Sequence, residues 1–134
     1  MTKREWPHPE LGSAPNFSRA LEVPAGRTIY FSGQVPTDAS GDTIGPGDLG
    51  AQAAVCFDKI AAMLAEAGGT MNDVVKVNPY VTDMSRIDEV RRVRERHFTT
   101  APYPAMTGVE VVRLANDEWM IELEAIAVIA VIAD

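Results

Sequence analysis

The amino-acid sequence predicts an α+β fold in which one β-sheet carries two helices on the same face. An apolar stripe with the period of an α-helix runs from about Asp48 to Ala67, and β-rich runs precede and follow it. The predicted element order is β-β-α-β-α-β-β, and paired strand–helix units in this order favour both helices on one side of the sheet. With 134 residues, of which 46% are hydrophobic, the chain is expected to form a single domain over residues 1–134.

The N-terminal third is predicted to contain an arm, a hairpin and a loop. Residues 1–17 include three prolines and show no periodicity, which is typical of an extended arm. The runs RALEV and RTIYFSGQV flank the turn PAG and indicate a β-hairpin from Arg19 to Gln34. Residues 36–48 are dense in Gly, Pro, Asp and Ser, so we expect a loop there.

The first helix is the most strongly patterned element. Its apolar residues repeat at spacings of three and four, and Gly68-Gly69 is expected to end it. Cys56 lies in this apolar stripe, which favours a small buried side chain over a reactive thiol. Because it is the only cysteine, no intrachain disulfide can form, and a reducing compartment is expected.

The second half of the chain supplies a strand, a helix and two further strands. The run DVVKVNPYVTDM (73–84) is β-rich, and Pro79 within it indicates an edge strand or a bulge. Ser85 and Asp88 have the spacing of a helix N-cap box, which predicts a second helix over about 85–99. The runs MTGVEVVRL and EWMIELEAIAVIAVIA predict two long strands around the turn AND. The sheet face without helices then needs a cover, most simply another copy of the chain.

Composition argues against several classes of function. A net charge of −7 is unlike that of proteins that bind the nucleic-acid backbone, which are normally basic. The only histidines are His8, in the arm, and His97, which is predicted to lie on a helix face, so a histidine-based nuclease is hard to assemble. No phosphate-binding or metal-ligand spacing is present, and we expect no cofactor and no metal. The N-terminus lacks a secretory apolar segment and the run AIAVIAVIA is too short to span a bilayer, so a soluble cytoplasmic protein is expected.

Two acidic residues near the C-terminus are candidates for acid–base chemistry. Glu122 and Glu124 alternate with Ile121 and Leu123, so both point to the same face of their strand. A carboxylate on a central strand could hold a water molecule or act as a general acid or base. The pattern alone favours the other interpretation, a solvent-facing acidic stripe.

The second predicted helix carries arginines within its apolar face. At 100° per residue, Arg94 lies in the middle of that face and Arg91 at its edge. Such an arginine usually extends outward or pairs across a subunit contact. The alternative is that it lines a pocket and binds an anionic ligand.

Several stretches together resemble the Rid (reactive intermediate deaminase, or YjgF-type) superfamily. They are YFSGQVP (30–36), GDLGAQAAVCFDKIAAMLAEAGGTMNDVVKVNPYVTDM (47–84), YPAMTGVEVVRL (103–114) and IELEAIAV (121–128). The resemblance implies a chorismate-mutase-like fold with a mixed sheet, and a homotrimer with ligand clefts at its subunit interfaces. It also implies hydrolysis of small enamines or imines, such as 2-aminoacrylate, to a keto acid and ammonia without a cofactor or metal.

The same resemblance assigns candidate site residues. Glu122 matches the glutamate that positions the attacking water, with Glu124 as the alternative because the preceding turn carries one extra residue. Ser32 and Gly33 match a Ser-Gly pair that approaches the ligand. Phe17 stands where the family often has a tyrosine, so it keeps the ring and loses the hydroxyl.

The family signature Pro-Ala-Arg is altered in this chain. Its arginine, which binds the substrate carboxylate, is replaced by Met106, which has no positive charge. Ala105 and Thr107 flank this position in the expected ligand cleft, and Gly108 replaces a common cysteine. Arg91 matches an asparagine of the second helix.

Two kinds of ligand are therefore open. Arg91, or as a second choice Arg94, could supply the missing cation to an acidic ligand from the helix side. Alternatively, the cleft is apolar and takes a neutral molecule. The predicted function is a Rid-like homotrimeric hydrolase or deaminase with a substrate other than 2-aminoacrylate. A non-catalytic small-molecule binding trimer is the alternative, and an endoribonuclease or translation inhibitor is the least favoured.

Overall fold

The computed structural model of the chain describes residues 3–6, 8–12 and 14–131. Within them, a mixed sheet of five strands carries two α-helices, and a separate two-stranded sheet involves the N-terminal arm. In chain order the elements are β1 (Arg4–Glu5), β2 (Leu21–Glu22), β3 (Gly26–Gln34), α1 (Leu49–Glu66), β4 (Val74–Val81), α2 (Ile87–His97), β5 (Ala105–Met106), β6 (Val109–Glu110) and β7 (Ile121–Ala130).

The long C-terminal strand β7 is the centre of the main sheet. It pairs antiparallel with β3 on one side and antiparallel with β4 on the other. The short strands β5 and β6 both pair parallel with β4, so the sheet is mixed. The predicted α+β class, with a mixed sheet and two helices on one face, is confirmed.

The core lies between the sheet and the two helices. Because side chains alternate along a strand, every second residue of β7 faces the helices and is buried. These residues form one apolar cluster with α1 and α2, and they are Ile121, Leu123, Ala125, Ala127 and Ile129. The opposite face of the sheet has no helix among the described residues, and Tyr30 of β3 is 77% exposed there. We call it the open face.

Helix α1 matches its prediction closely at both ends. The side chain of Asp48 caps it by accepting a hydrogen bond of 3.0 Å from the backbone N–H of Ala51. Gly68 ends it with a φ of +83°, a left-handed conformation that glycine adopts without steric cost. Cys56 is fully buried in the stripe, as the pattern predicts.

The predicted N-terminal hairpin is wrong. Strand β2 pairs with β1 of the arm rather than with β3, and the indole of Trp6 donates a hydrogen bond of 2.9 Å to Glu22 across this pair. Strand β3 pairs instead with β7, which offers ten residues and an apolar face to the core. Part of the predicted arm, Arg4–Glu5, belongs to this small sheet.

Two other predicted boundaries also differ from the structure. Ser85 does not cap the second helix, because Asp83 caps a short 3₁₀ turn over Met84–Arg86 and α2 begins only at Ile87. The strand predicted over 118–133 is β7, which ends at Ala130, and positions 132 and 133 lie outside the described residues.

The predicted strand MTGVEVVRL is interrupted, and Pro79 explains why. Its residues form β5 and β6, which pair with β4 at Val77 and Tyr80 on either side of Pro79. Proline has no N–H to donate to a neighbouring strand, so the ladder breaks at this point. Strand β4 is thus an inner strand with a local gap, rather than an edge strand.

Candidate functional site

The predicted site residues form two groups on opposite faces of the main sheet. Glu122 lies between the buried residues Ile121 and Leu123, so it faces the open side. Met106 is in register with the buried Val77, and it faces the helices. One protomer therefore carries two separate sets of candidate residues, one on each face.

On the open face, the Glu122 carboxylate lies directly over the backbone of Gly33. A Cβ atom at position 33 would overlap the Oε2, Cδ and Cγ atoms of Glu122. Only glycine leaves space for this carboxylate against β3. The structure thus brings together two residues that the sequence placed in the same cleft.

Glu124 has a different environment from Glu122. The Tyr80 hydroxyl donates a hydrogen bond of 2.5 Å to Glu124 Oε1, and this bond raises the pKa of the Tyr80 phenol. Within the described residues, the Glu122 carboxylate accepts no hydrogen bond from a protein group. Of the two carboxylates, Glu122 is therefore the one left open to a water molecule or ligand.

The open face carries further polar groups and a cavity beside Glu124. Ser32 is exposed on β3, and its carbonyl accepts a hydrogen bond of 2.9 Å from the side chain of Gln34. A cavity of about 300 Å³ is lined by Tyr30, Asn78 and Glu124 among others. Tyr80 and Asn78 were not predicted as site residues, although their alternation with buried residues of β4 places them on this face.

On the other face, a cavity of about 240 Å³ lies between α2 and strands β4 and β5. The polar residues Arg91 and Arg94, together with Gly108, also border it. Its walls are otherwise mainly apolar, and they include Val77, Pro79, Met84, Ile87, Val90 and Met106. We call it the helix-face cavity.

Arg94, rather than Arg91, is the cation in contact with Met106. Arg91 is exposed and forms an ion pair with Asp88. Arg94 is only 9% exposed, and its Nη1 lies 3.2 Å from the sulfur of Met106. Its Nη2 is buried and has no hydrogen-bond partner among the described residues. The sequence favoured Arg91 because it matched a family position, whereas its helical periodicity alone pointed to Arg94.

Burial disfavours the charged form of Arg94. Desolvation lowers the pKa of its guanidinium and the nearby positive charge of Arg91 lowers it further, while the charge of Glu95 opposes this shift without reversing it. Even so, an arginine keeps its proton at neutral pH. The helix-face cavity therefore contains a cation that lacks a counter-ion within the described part of the chain.

The other predicted residues lie near the start of β5. Phe17 is half-buried, and the adjacent Ser18 fixes the arm there by donating a hydrogen bond of 2.5 Å to the carbonyl of Tyr103. Ala105 is half-buried and pairs with β4. Thr107 is exposed and accepts a hydrogen bond of 3.3 Å from Lys76.

Gly108 lies at the border of the helix-face cavity. A Cβ atom there would lie 3.4 Å from the ring of Pro79, so a side chain would reduce the space in the cavity. Thr107 lies between Met106 and Gly108 and, by strand alternation, belongs to the open face.

Cys56 and His97 lie outside both groups. Burial raises the pKa of the Cys56 thiol to about 12, so this thiol is protonated. His97 stacks on Phe57 with ring centroids 5.3 Å apart, and its Nε2 lies 3.3 Å from Asp58. The described residues contain no cluster of His, Cys, Asp and Glu that could hold a metal ion. None of the helices in this part of the chain has the length and apolar character needed to cross a bilayer.

The sequence and the structure both match one protein family. Residues 8–129 match the family Ribonuc_L-PSP, described as Endoribonuclease L-PSP. The chain therefore belongs to this family, which includes the Rid, YjgF and RutC proteins. The resemblance seen in the sequence is confirmed.

Individual relatives cover most of the chain. A RutC family protein of Pyrococcus abyssi is 39% identical over 111 residues, which are 83% of this chain and 84% of that protein. The 2-iminobutanoate/2-iminopropanoate deaminase of Escherichia coli K12 is 38% identical over 108 residues, covering 79% and 83%.

Solved structures agree with this assignment. A Rid family protein of unknown function from Yersinia pestis, YyfB, superimposes with a TM-score of 0.83 at 31% identity, covering 96% of this chain and all of that one. The YjgF gene product of E. coli superimposes with a TM-score of 0.69 at 38% identity, covering 79% and 84%.

Proposed function

We propose that this protein is a Rid-type hydrolase that converts a small imine, or the enamine in equilibrium with it, to a carbonyl compound and ammonia. The observation that carries the proposal is the Glu122 carboxylate, which lies over Gly33 without a hydrogen bond from the described protein groups. The name of the E. coli relative, a 2-iminobutanoate/2-iminopropanoate deaminase, supports this type of reaction. We expect the protein to act in the cytoplasm.

The reaction needs only water and one positioned carboxylate. Glu122 accepts a hydrogen bond from a water molecule and takes its proton as the water oxygen attacks the C=N carbon. Glu122 passes this proton to the imine nitrogen, which gives a carbinolamine. The carboxylate then takes the second proton from the carbinolamine hydroxyl and delivers it to the nitrogen as the C=O bond forms and the C–N bond breaks. Ammonia leaves and a carbonyl group remains, so one water molecule is consumed for each ammonia released.

The separation of the two groups supports a cleft that is shared between subunits. Glu122 faces the open side of the sheet, whereas Met106 faces the helices, so one ligand does not reach both within a single protomer. A homotrimer with ligand clefts at its interfaces would combine the open face of one copy with the helix-face cavity of its neighbour. The exposed Tyr30 on the open face favours such a contact.

The substrate is expected to differ from 2-aminoacrylate. Met106 stands where the family signature has its carboxylate-binding arginine, and a thioether is at most a weak acceptor. Losing one member of a desolvated, hydrogen-bonded charge pair costs about 2–5 kcal/mol in binding. The same replacement favours the second candidate function, a non-catalytic trimer that binds a small molecule.

The experiment measures imine hydrolysis directly. An amino-acid oxidase generates 2-imino acids in situ, semicarbazide traps them, and hydrolysis is followed as the loss of semicarbazone and the release of ammonia. Glu122→Gln is expected to lower kcat/KM at least about 100-fold, because the general base is removed.

Glu124→Gln is the matched control, since it lies on the same strand and the same face. It is expected to stay within about threefold of the wild type, because Glu124 already accepts a hydrogen bond from Tyr80. Wild-type activity in Glu122→Gln would refute the proposed mechanism. A wild type that hydrolyses no imine but binds small molecules would support the second candidate.

A nuclease is the least supported function, in spite of the description given to the family. The chain has a net charge of −7 and only two histidines. One of these, His97, stacks on Phe57 beside Asp58 in the structure.

A further inference from the structure

We propose that Arg94 binds the carboxylate of a small organic acid in the helix-face cavity, and that the rest of this ligand is apolar. The inference deepens the proposed function, since it names the class of substrate. The binding claim itself does not depend on turnover.

The guanidinium of Arg94 lacks the partners that a buried cation needs. An arginine offers five N–H donors. In the described residues, Nη1 of Arg94 meets only the thioether of Met106, and Nη2 is buried without any partner. A buried charge without a counter-ion is strongly unfavourable, so this position requires an acceptor that the described residues do not supply.

Two neighbouring arginines, unlike Arg94, have acidic partners. Arg86 forms hydrogen bonds with both carboxylate oxygens of Glu89, and Arg91 is paired with Asp88. Glu95, the nearest acid in sequence to Arg94, is exposed and forms no salt bridge with it within the described residues. Arg94 is thus a buried arginine in this region whose charge is left uncompensated.

The guanidinium also borders accessible space on two sides. It lines the helix-face cavity and a second cavity of about 380 Å³, which lies toward the arm and is bordered by Asn16 and Tyr103. A ligand can therefore approach Arg94 from either cavity, and contact with its buried Nη2 requires a movement of the Met106 side chain.

The walls of the helix-face cavity define the ligand. Arg91 is paired with Asp88, so Arg94 is the cation left for a ligand, and one guanidinium binds one carboxylate through two parallel hydrogen bonds. The remaining walls are the side chains of Val77, Ile87, Val90 and other apolar residues. Its volume of about 240 Å³ corresponds to roughly eight water molecules. It therefore suits an acid with a branched aliphatic or small aromatic side chain.

The flexible side chain of Met106 can make room for a carboxylate beside Arg94. Its unbranched side chain can change rotamer and move its sulfur away from Arg94 when an acid binds. Methionine at this position then leaves the carboxylate to Arg94, whereas an arginine would compete for it.

The test measures binding rather than activity. The wild type is titrated by calorimetry with 4-methyl-2-oxopentanoate, with pyruvate, and with the neutral ketone 4-methyl-2-pentanone. We expect 4-methyl-2-oxopentanoate to bind most tightly, pyruvate more weakly because it lacks the apolar group, and the ketone most weakly. No detectable binding of 4-methyl-2-oxopentanoate, or equal affinity for the ketone, would overturn the inference without any variant.

Variants then assign the binding to Arg94. Arg94→Met is expected to weaken binding of 4-methyl-2-oxopentanoate at least about thirtyfold, and Arg94→Lys to weaken it less because the charge is kept. Arg92→Met is the matched control on the same helix, and we expect a change of less than about threefold because its side chain is exposed and does not line the helix-face cavity.

Folding and assembly are checked on the same samples. Arg94→Met is expected to keep the native mass and to melt at the same or a higher temperature, because it replaces an uncompensated buried charge with an apolar side chain. A folded Arg94→Met protein with wild-type affinity would overturn the inference. A lower native mass would also overturn it, because Arg94 would then pair with a partner copy.

The two proposals can fail separately. If the wild type hydrolyses no imine yet binds the acid through Arg94, the proposed reaction fails and the binding site stands. If hydrolysis depends on Glu122 but neither binding nor KM depends on Arg94, the acid site fails and the reaction stands.

Discussion

Charged side chains have opposite environments on the two faces of the main sheet. On the open face, Glu124 has a hydrogen bond from Tyr80, and Glu122 is half-buried with access to water. On the helix face, Arg94 is buried among apolar side chains with an uncompensated charge. One face thus offers a carboxylate that can exchange protons, and the other offers a fixed cation. The comparison suggests that reaction and recognition are divided between the faces.

The largest expected effect comes from crowding the carboxylate on the open face. Gly33→Ala introduces a Cβ atom that overlaps the Glu122 carboxylate. We expect kcat/KM for imine hydrolysis to fall about 100-fold, as it does when a general base is lost, because the carboxylate is displaced from its position. Steady-state kinetics on the in situ imines measure this effect.

Gly50→Ala is the matched control for this change. The nearest atoms to a Cβ at Gly50, which lies in α1, are at 3.6 Å or more. Alanine is favoured over glycine in a helix by about 0.5–1 kcal/mol, so this variant should be more stable and fully active. Equal activity of Gly33→Ala and Gly50→Ala would show that the close contact with Gly33 is not needed for the reaction.

A smaller effect is expected from a second cation on the helix face. Met106→Arg places a guanidinium beside that of Arg94, in a cavity built for a thioether. Overpacking and like-charge repulsion are expected to lower the free energy of unfolding by about 1–3 kcal/mol. Added 4-methyl-2-oxopentanoate should recover part of this loss by pairing with both cations.

Chemical denaturation with and without the acid measures the change, and Met106→Leu is the neutral control. Hydrolysis of the imine formed from 2-aminoacrylate should also increase in Met106→Arg if the rest of the site is intact. A Met106→Arg protein as stable as Met106→Leu would contradict the placement of a charged Arg94 next to this side chain.

The smallest effect is expected at Tyr80. Its hydrogen bond to Glu124 raises the phenol pKa above the ordinary value of 10.0. The stabilising contribution of this bond is therefore present below pH 10 and is lost as the pH rises through the raised pKa. The phenolate absorbance of the wild type minus that of Tyr80→Phe should show one tyrosine titrating above pH 10.

Tyr30→Phe, on the same face of the sheet, is the control for this titration. The titration that the wild type shows and Tyr80→Phe lacks is that of Tyr80. A midpoint at or below pH 10 for this titration would show that the bond to Glu124 does not form in solution.

Much of the fold could be predicted from local sequence signals. Helix α1 was predicted closely because its apolar stripe and the Gly68-Gly69 pair indicate the ends that the structure shows. The hairpin prediction failed because strand pairing depends on distant residues, and β3 finds a better partner in β7. The gap between β5 and β6 was not predicted either, because its cause lies in another strand. Pro79 belongs to β4 and interrupts the pairing of β4 with β5 and β6.

The candidate site was predictable in its residues but not in its arrangement. Strand alternation could assign Glu122 to one face of its own strand, but the pairing of β5 with β4 is needed to place Met106 on the other face. Which of Arg91 and Arg94 is free to bind a ligand depends on which one pairs with an acidic residue. The ion pair of Arg91 with Asp88 is visible only in the side-chain geometry of the structure. Tyr80 and Asn78 were missed because the sequence predicts their strand but not its pairing with β7, which places them beside Glu122 and Glu124.

The contact between Gly33 and Glu122 also has a consequence for the newly made protein. It joins two strands that lie near opposite ends of the chain, so it closes only after β7 has left the ribosome and paired with β3. Such non-local pairings form late in folding. A nascent or truncated chain that lacks β7 would thus lack Glu122, the carboxylate of the proposed mechanism, and the strand that carries it. Under that mechanism, imine hydrolysis would report on the fraction of chains that have been completed and fully folded.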